Sequence, residues 1–335
     1  MTQRVDVVVL DGVMASSLSV TLDVLATANR LAPRVGSASA PFACRVLSTH
    51  PRFIVTGSGH RFAVDGTLGD RPSSLVVVPG LGLAEPDDVR ASLRRAATRR
   101  VLDYLRAAHR RGGIVAASCS STFLLAEAGL LADGPATTTW WLTSFFRERY
   151  PQVELVTDRM VTTAGRVVCA GAALAQLDLM LHLVARQAGA ALARLCARYL
   201  VLEDERPSQA PYMVLEHLAR TDDLVTRADA WIRAHLDRPF LLTELAKALA
   251  TSPRTLNRRF HAAVGTSPLR FARRIRGDVA RNLLETTTLA VEDVAGKVGY
   301  SDVPAFRRLF RRHAGVTPGA ARRARGARSR QRPPR

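Results

Sequence analysis

Lysine is almost missing from this chain of 335 residues: of its 48 basic side chains only Lys247 and Lys297 are lysines, and the rest are arginines. Positive charge is therefore carried by planar guanidinium forks, which suit phosphates and guanine edges better than a point charge does. A GC-rich coding sequence produces the same bias, so the ratio by itself assigns no partner. Cysteine is also scarce. Cys44, Cys119, Cys169 and Cys196 are far apart and show no paired ligand spacing, which argues against a disulfide framework and against a zinc module. No run of about 18 apolar residues occurs, which argues against a membrane-spanning helix. The opening MTQRVDVVVLDG passes straight into a strand pattern instead of a charged leader with a cleavage site. These absences predict a cytoplasmic protein with no metal, no cofactor and no membrane partner.

The length suggests two domains, since ~100–200 residues is a usual domain size, and 47% hydrophobic residues allow each a core. Charge is uneven between them. Residues 201–335 carry 26 basic and 14 acidic side chains, against 22 and 15 in residues 1–200, so the second half is the more basic and the better suited to a polyanion. The end of the chain, ARRARGARSRQRPPR from 321, has seven arginines and no acid. Residues 323–335 are expected to be a disordered basic tail adding sequence-independent attraction to phosphates.

Two short segments in the basic half have the pattern of helix-turn-helix recognition elements. In SPRTLNRRF (252–260), Ser252 is placed to cap a helix whose first turn holds Pro253; in SDVPAFRRLF (301–310), Ser301 or Asp302 has that place. Each follows a short apolar helix, LTELAKALA (242–250) or VEDVAGKVGY (291–300), the latter with Gly299 at the turn. At helical spacing Leu256 and Phe260 share one face and leave Arg254, Asn257, Arg258 and His261 on the other. The second element turns Phe306, Leu309 and Phe310 inward and Arg307, Arg308 and Arg311 outward. One such helix alone is as well explained by a solvated amphipathic face. Two copies joined by a single helix over 269–287, with apolar Leu269, Phe271, Ile275, Val279, Leu283 and Leu284, favour double-stranded DNA.

From 224 to 320 the chain resembles the AraC/XylS family of bacterial transcription regulators. The shared residues are RTLNRRF, the turn VGTSP (264–268), the stretch from Ala280 to Glu285, VGYSD (298–302), AFRRLFRR (305–312) and GVTP (315–318). The resemblance implies promoter DNA as a partner and RNA polymerase as a possible further one. The chain departs from the family's small polar residue in the second recognition helix, where it has Val303 and Pro304, and this weakens base readout by that helix.

The first 200 residues alternate strand and helix signals. VDVVVL (5–10) and SLVVVPG (74–80) read as strands buried on both faces; 19–32, 88–112, 122–131, 172–189 and 190–202 read as helices. That order predicts a doubly wound α/β domain over 1–200, then a linker over 201–221 centred on ERPSQAPYM (205–213), then an all-α domain over 222–322. Within the first domain, GGIVAASCSSTFLLAEAGLL (112–131) has the form of a nucleophile elbow, a strand and a tight turn holding Cys119 before a helix. A small buried cysteine in a tight turn is the plainer reading of those residues alone.

VPG (78–80), FLLAEAGLL and VTTAGRVVCAG (161–171) resemble class I glutamine-amidotransferase-like domains of the PfpI type, which implies a flavodoxin-like fold and occurs fused ahead of AraC-type domains. Three departures stand against the catalysis this resemblance would imply. Thr139 lies where a hydrolase of this type has its histidine base, Ser17 lies where related members have a glutamate, and Cys119-Ser120-Ser121 lacks the usual glycine. No catalytic residue is assigned. The domain is expected instead to sense a small-molecule effector, with Cys119, Ser120, Thr138 and Trp140 as pocket candidates beside a helix N-terminus, and to form a homodimer, for which the helices at 172–202 offer broad apolar faces. A cysteine-dependent hydrolase with a DNA-binding appendage, and a low-specificity nucleoid DNA binder, stay open as alternatives.

Overall fold

The computed structural model describes residues 2–323 apart from 38, 70, 203–205, 207, 210–211, 214–222, 265 and the side chain of 262. The chain divides into two compact units, Met1–Met213 and Val214–Arg335.

The first unit is an α/β sandwich. Its strands are β1 (Gln3–Val8), β2 (Phe42–Ser48), β3 (Phe53–Val55), β4 (Arg61–Ala63), β5 (Gly66–Thr67), β6 (Leu75–Val78), β7 (Ile114–Ser118), β8 (Val161–Ala164) and β9 (Val167–Ala170). Seven of them form one sheet of order β5-β2-β1-β6-β7-β9-β8, while β3 and β4 pair as a separate hairpin. Pairing in the large sheet is parallel except at its edge, where β8 runs antiparallel to β9 with Val161 opposite Ala170. The middle strands β6 and β9 are buried at every residue, as parallel strands covered on both faces must be.

The covering helices are α1 (Ala15–Leu31), α2 (Pro86–Arg94), α3 (Ala96–Arg110), α4 (Thr122–Glu127), α5 (Thr143–Arg149), α6 (Ala175–Ala188) and α7 (Ala190–Tyr199). The α1, α6 and α7 helices pack together, and Gln176 Nε2 donates to Thr21 Oγ1 at 2.8 Å across the first pair. The single helix expected over 88–112 is two, because Arg95 adopts an extended conformation and the Thr98 hydroxyl takes the Ser92 carbonyl at 2.6 Å. The helix expected over 122–131 stops at Glu127, and Gly129 follows in a left-handed conformation.

Asp6, fully buried in β1, ties the sheet to its surroundings. It accepts from Arg45 Nε of β2 at 2.6 Å, from the Ser73 N–H at 2.6 Å and hydroxyl at 2.9 Å, and from the Tyr104 hydroxyl of α3 at 2.6 Å. Burial alone would raise its pKa, but these donors outweigh it and hold the carboxyl below its ordinary value, while the same burial and bond push the Tyr104 phenol up.

The segment expected to be linker is partly bound to the first unit. Arg206 forms an ion pair with Asp178 of α6 and donates to the Leu174 carbonyl at 3.1 Å; the Ser208 hydroxyl donates to the Asp158 carbonyl at 2.6 Å. Gln209 is buried, and its Nε2 reaches the carbonyls of Thr138 and Thr157 at 3.0 and 2.9 Å while its Oε1 accepts from Ala172 N at 2.9 Å. Proline and polar composition reads as linker because it rules out regular structure, yet side-chain bonds of this kind need none. Residues 203–205, 207, 210–211 and 214–221 of that linker, and the basic tail from 324, lie outside the described residues.

The second unit contains helices Asp223–Ala234, Leu242–Ala248, Pro253–Val264, Pro268–Thr286, Val291–Lys297 and Val303–Ala314. Pro268–Thr286 is the central strut. Its Phe271 meets Phe260 of the first recognition helix edge-on at 4.9 Å, and its Ala280 and Leu284 join Val294, Val298, Phe306 and Phe310 in a second core. Arg276 of the strut is buried and donates to the carbonyls of Leu236 and Arg238, with its guanidinium over the rings of Phe240 and Tyr300. Gly299 has φ 77°, and a Cβ there would stand 2.6 Å from the Leu236 carbonyl oxygen, so the second turn needs glycine for space as well as for conformation.

Candidate nucleic-acid interface and elbow

The two recognition helices differ in how free their arginines are. In Pro253–Val264 the Ser252 hydroxyl accepts from Thr255 N at 3.1 Å, which caps the helix; Leu256 and Phe260 are buried, and Arg254, Asn257, Arg258 and His261 are exposed on the other side. Among the described residues neither Arg254 nor Arg258 is held by a carboxylate. In Val303–Ala314 the cap expected from Ser301 or Asp302 is not made by either side chain. Asp302 instead lies 3.8 Å from Arg308, and Arg307 donates to Glu292 at 3.1 Å. Both pairs are well exposed, so they are worth little, and a phosphate can displace the acid. Arg308, Arg311 and Arg312 together line one shallow surface concavity.

The elbow is a strained turn fastened on all sides. Cys119 has φ 54° between β7 and α4, a conformation that costs a non-glycine residue roughly 1–3 kcal/mol. Its N–H donates to the Gly171 carbonyl at 2.8 Å, and its carbonyl accepts from the hydroxyls of Thr122 at 2.8 Å and Thr138 at 3.0 Å. The hydroxyls of Ser120 and Ser121 donate to the carbonyls of Leu81 and Pro79, both at 2.6 Å. The strain therefore sits on the cysteine itself, and no glycine is needed after it. Cys119, Ser120 and Thr138 come together and are buried, as is Trp140, and the hydroxyls of Ser120 and Thr138 are committed to backbone carbonyls. Trp140 packs edge-on against Trp141 at 5.1 Å.

The surroundings of the thiol are hydroxyls and backbone. Thr139 faces it, as do the N–H groups of Ser120 and Ala173; burial pushes the thiol pKa up and these groups offset that only in part. Ser17 Oγ and Cys119 Cβ crowd the same face of Gly80: a Cβ on that glycine would lie 3.0 Å from Cys119 Cβ and 3.2 Å from Ser17 Oγ. The buried hydroxyls of Ser17, Ser118 and Thr139 make no hydrogen bond of ordinary geometry. His60 is engaged with Ser58 at 3.2 Å, and His182 with Thr163 at 3.2 Å. Sequence reasoning missed Asp6, Gln209 and Arg276. A charged or amide residue inside an apolar run or a polar loop was the only signal for them.

A model described as the DJ-1/PfpI family matches residues 3–186, and one described as a helix-turn-helix domain matches residues 245–324. The HTH-type transcriptional regulator GbdR of Pseudomonas aeruginosa is 27% identical over 94% of this chain and 83% of its own length. The HTH-type transcriptional regulator CdhR of the same organism is 30% identical over 68% of each chain. Drosophila melanogaster DJ-1beta, 18% identical, superimposes with a TM-score of 0.50 over 61% of this chain and all of its own, which shows the shared fold. Among the described residues no helix is long and apolar enough to cross a membrane. With a sheet and elbow of this type ahead of two helix-turn-helix motifs, the chain belongs to the DJ-1/PfpI family, in its AraC-type helix-turn-helix branch, and is a DNA-binding transcription regulator.

Proposed function

We propose that Arg254, Asn257 and Arg258 read bases of a promoter in the major groove, with His261 beside them, and that Arg307, Arg308 and Arg311 hold the phosphate backbone. The observation that carries this division is the pairing: Arg307 and Arg308 have acidic neighbours, and Arg311 shares a surface concavity with Arg308, whereas Arg254 and Arg258 have no acidic neighbour among the described residues. A guanidinium free of carboxylates can make the paired bonds to a guanine edge. Arg258→Ala is expected to lower affinity for the cognate site by about 1–3 kcal/mol and for random DNA by much less, as read by binding titrations at one salt concentration. Equal losses on both would make Arg258 a phosphate contact and would favour the low-specificity nucleoid reading.

The first unit is then a regulatory domain without turnover, responding to a small metabolite in a cytoplasmic homodimer, with RNA polymerase as the further partner at the promoter. Two hydroxyls, Thr139 and Ser17, flank the buried Cys119 where chemistry would need a base and an acid. A helix dipole stabilises a thiolate by ~0.3–1 kcal/mol, too little to stand in for a general base worth ~10²–10⁴ in rate. Cys119→Ser should leave DNA affinity unchanged, and neither protein should turn over amides, esters, isonitriles or 2-oxoaldehydes. Turnover by the wild type that vanishes in Cys119→Ser would establish the hydrolase instead.

A further inference from the structure

Away from the elbow, α6, α7 and β8 enclose a cavity of about 500 Å³ together with Arg159 and Arg206. Among the described residues three arginines, Arg159, Arg194 and Arg206, line it with a single carboxylate, Asp178. Asp178 is taken by Arg206, whose Nε lies 3.1 Å from Oδ1 and whose Nη2 bonds Oδ2. Among the described residues Arg159 and Arg194 have no carboxylate partner. His182, also in the lining, adds no charge at neutral pH, because burial and nearby Arg186 hold its pKa below the ordinary value. The rest of the wall is apolar, with Val161 and Leu181 among alanines.

We propose that this cleft binds a small dicarboxylate, one carboxylate on each of Arg159 and Arg194 and the carbon chain against Val161 and Leu181. Guanidinium forks match carboxylates in paired geometry, and the cavity has the size of a metabolite site. Inorganic phosphate could satisfy the charges but would leave the apolar wall facing water, which disfavours it as the occupant. The location matters for regulation. Arg206 belongs both to the cleft and to the bound segment that holds Ser208 and Gln209 and precedes the DNA-binding unit in the sequence. Any coupling of occupancy to DNA affinity rests on the regulatory reading above; binding itself does not.

Calorimetric titration of the full chain with succinate, glutarate and inorganic phosphate tests the site. One dicarboxylate should bind once per chain with a Kd of ~1 mM or tighter, and phosphate at least tenfold more weakly. Arg159→Met and Arg194→Met should each weaken it about tenfold or more, the scale of a lost charge-assisted pair. Arg111→Met, which removes the same charge from the loop between α3 and β7, should change nothing. Absence of saturable dicarboxylate binding, phosphate binding as tight as the dicarboxylate, or equal weakening by Arg111→Met would each overturn the proposal. Titration of DNA with and without the bound dicarboxylate separates the two ideas. Binding that leaves DNA affinity unchanged keeps the site and removes the sensor.

Discussion

Asp6→Ala is expected to destabilise the first unit by about 3–5 kcal/mol, the range for breaking a buried ion pair by removing one partner. The carboxylate is fully buried and receives bonds from β2, from the loop before β6 and from α3, so its loss leaves the Ser73 N–H and the Tyr104 hydroxyl without their acceptor. Arg45 suffers less, since half of its side chain reaches solvent. The donors hold the folded pKa of Asp6 below its unfolded value of ~3.9. A depressed pKa contributes stability that is fully present above the unfolded value and is lost as pH falls through the folded one. The gap between wild type and Asp6→Asn should therefore be flat around neutrality and narrow below about pH 4. Denaturant titrations in a Trp231→Phe background, which leaves Trp140 and Trp141 as the reporters of the first unit, measure both effects. A gap that stays constant through the acid range, or a cost under ~1 kcal/mol, would mean that water replaces the carboxylate.

Phe310→Ala is expected to cost the second helix-turn-helix motif about 3–5 kcal/mol, the usual range for emptying a buried phenylalanine site. The core concerned is small: Ala280, Leu284, Val294, Ala295, Val298, Phe306, Phe310 and Ala321 are its buried members, and only two of them are aromatic. A loss of that size is comparable with the whole stability of a small domain. The first motif has its own contacts, through Leu256, Phe260 and Phe271, and should survive. Two recognition helices on one strut predict wild-type protection of a DNA site in two blocks centred ~10 base pairs apart. Phe310→Ala should keep one block and lose the other, with faster hydrogen exchange confined to Val291–Ala314. Loss of both blocks together would show that the motifs fold as one, through Arg276 and the approach of Gly299 to Leu236.

The places where sequence reading stopped short have physical causes. The strand β2 was not visible because its residues Ala43, Cys44 and Arg45 are exposed, so the alternation that marks a half-buried strand is absent. The antiparallel β8–β9 edge was legible only as a family resemblance. The division of 88–112 into two helices depends on a hydroxyl bond between Thr98 and Ser92 that no proline or glycine announces. Gln209 sits in a segment whose composition suggests a free linker, and a single amide does not reveal that three carbonyls or hydroxyls await it elsewhere.

What the sequence by itself determined is what depends on near neighbours. The faces of the recognition helices follow from the helical period, the first cap from Ser252 and its neighbour three residues on, and the elbow from a strand, a cysteine and a helix in succession. Tertiary structure decided the rest, because the partners are far apart along the chain. Tyr104 lies 98 residues from Asp6, and Thr137 lies 72 from Gln209. The same holds for the cleft. Arg159, Arg194 and Arg206 are unremarkable in a chain so rich in arginine, and they gain a shared meaning only where α6, α7 and β8 bring them to one cleft, with Asp178 as its one carboxylate among the described residues.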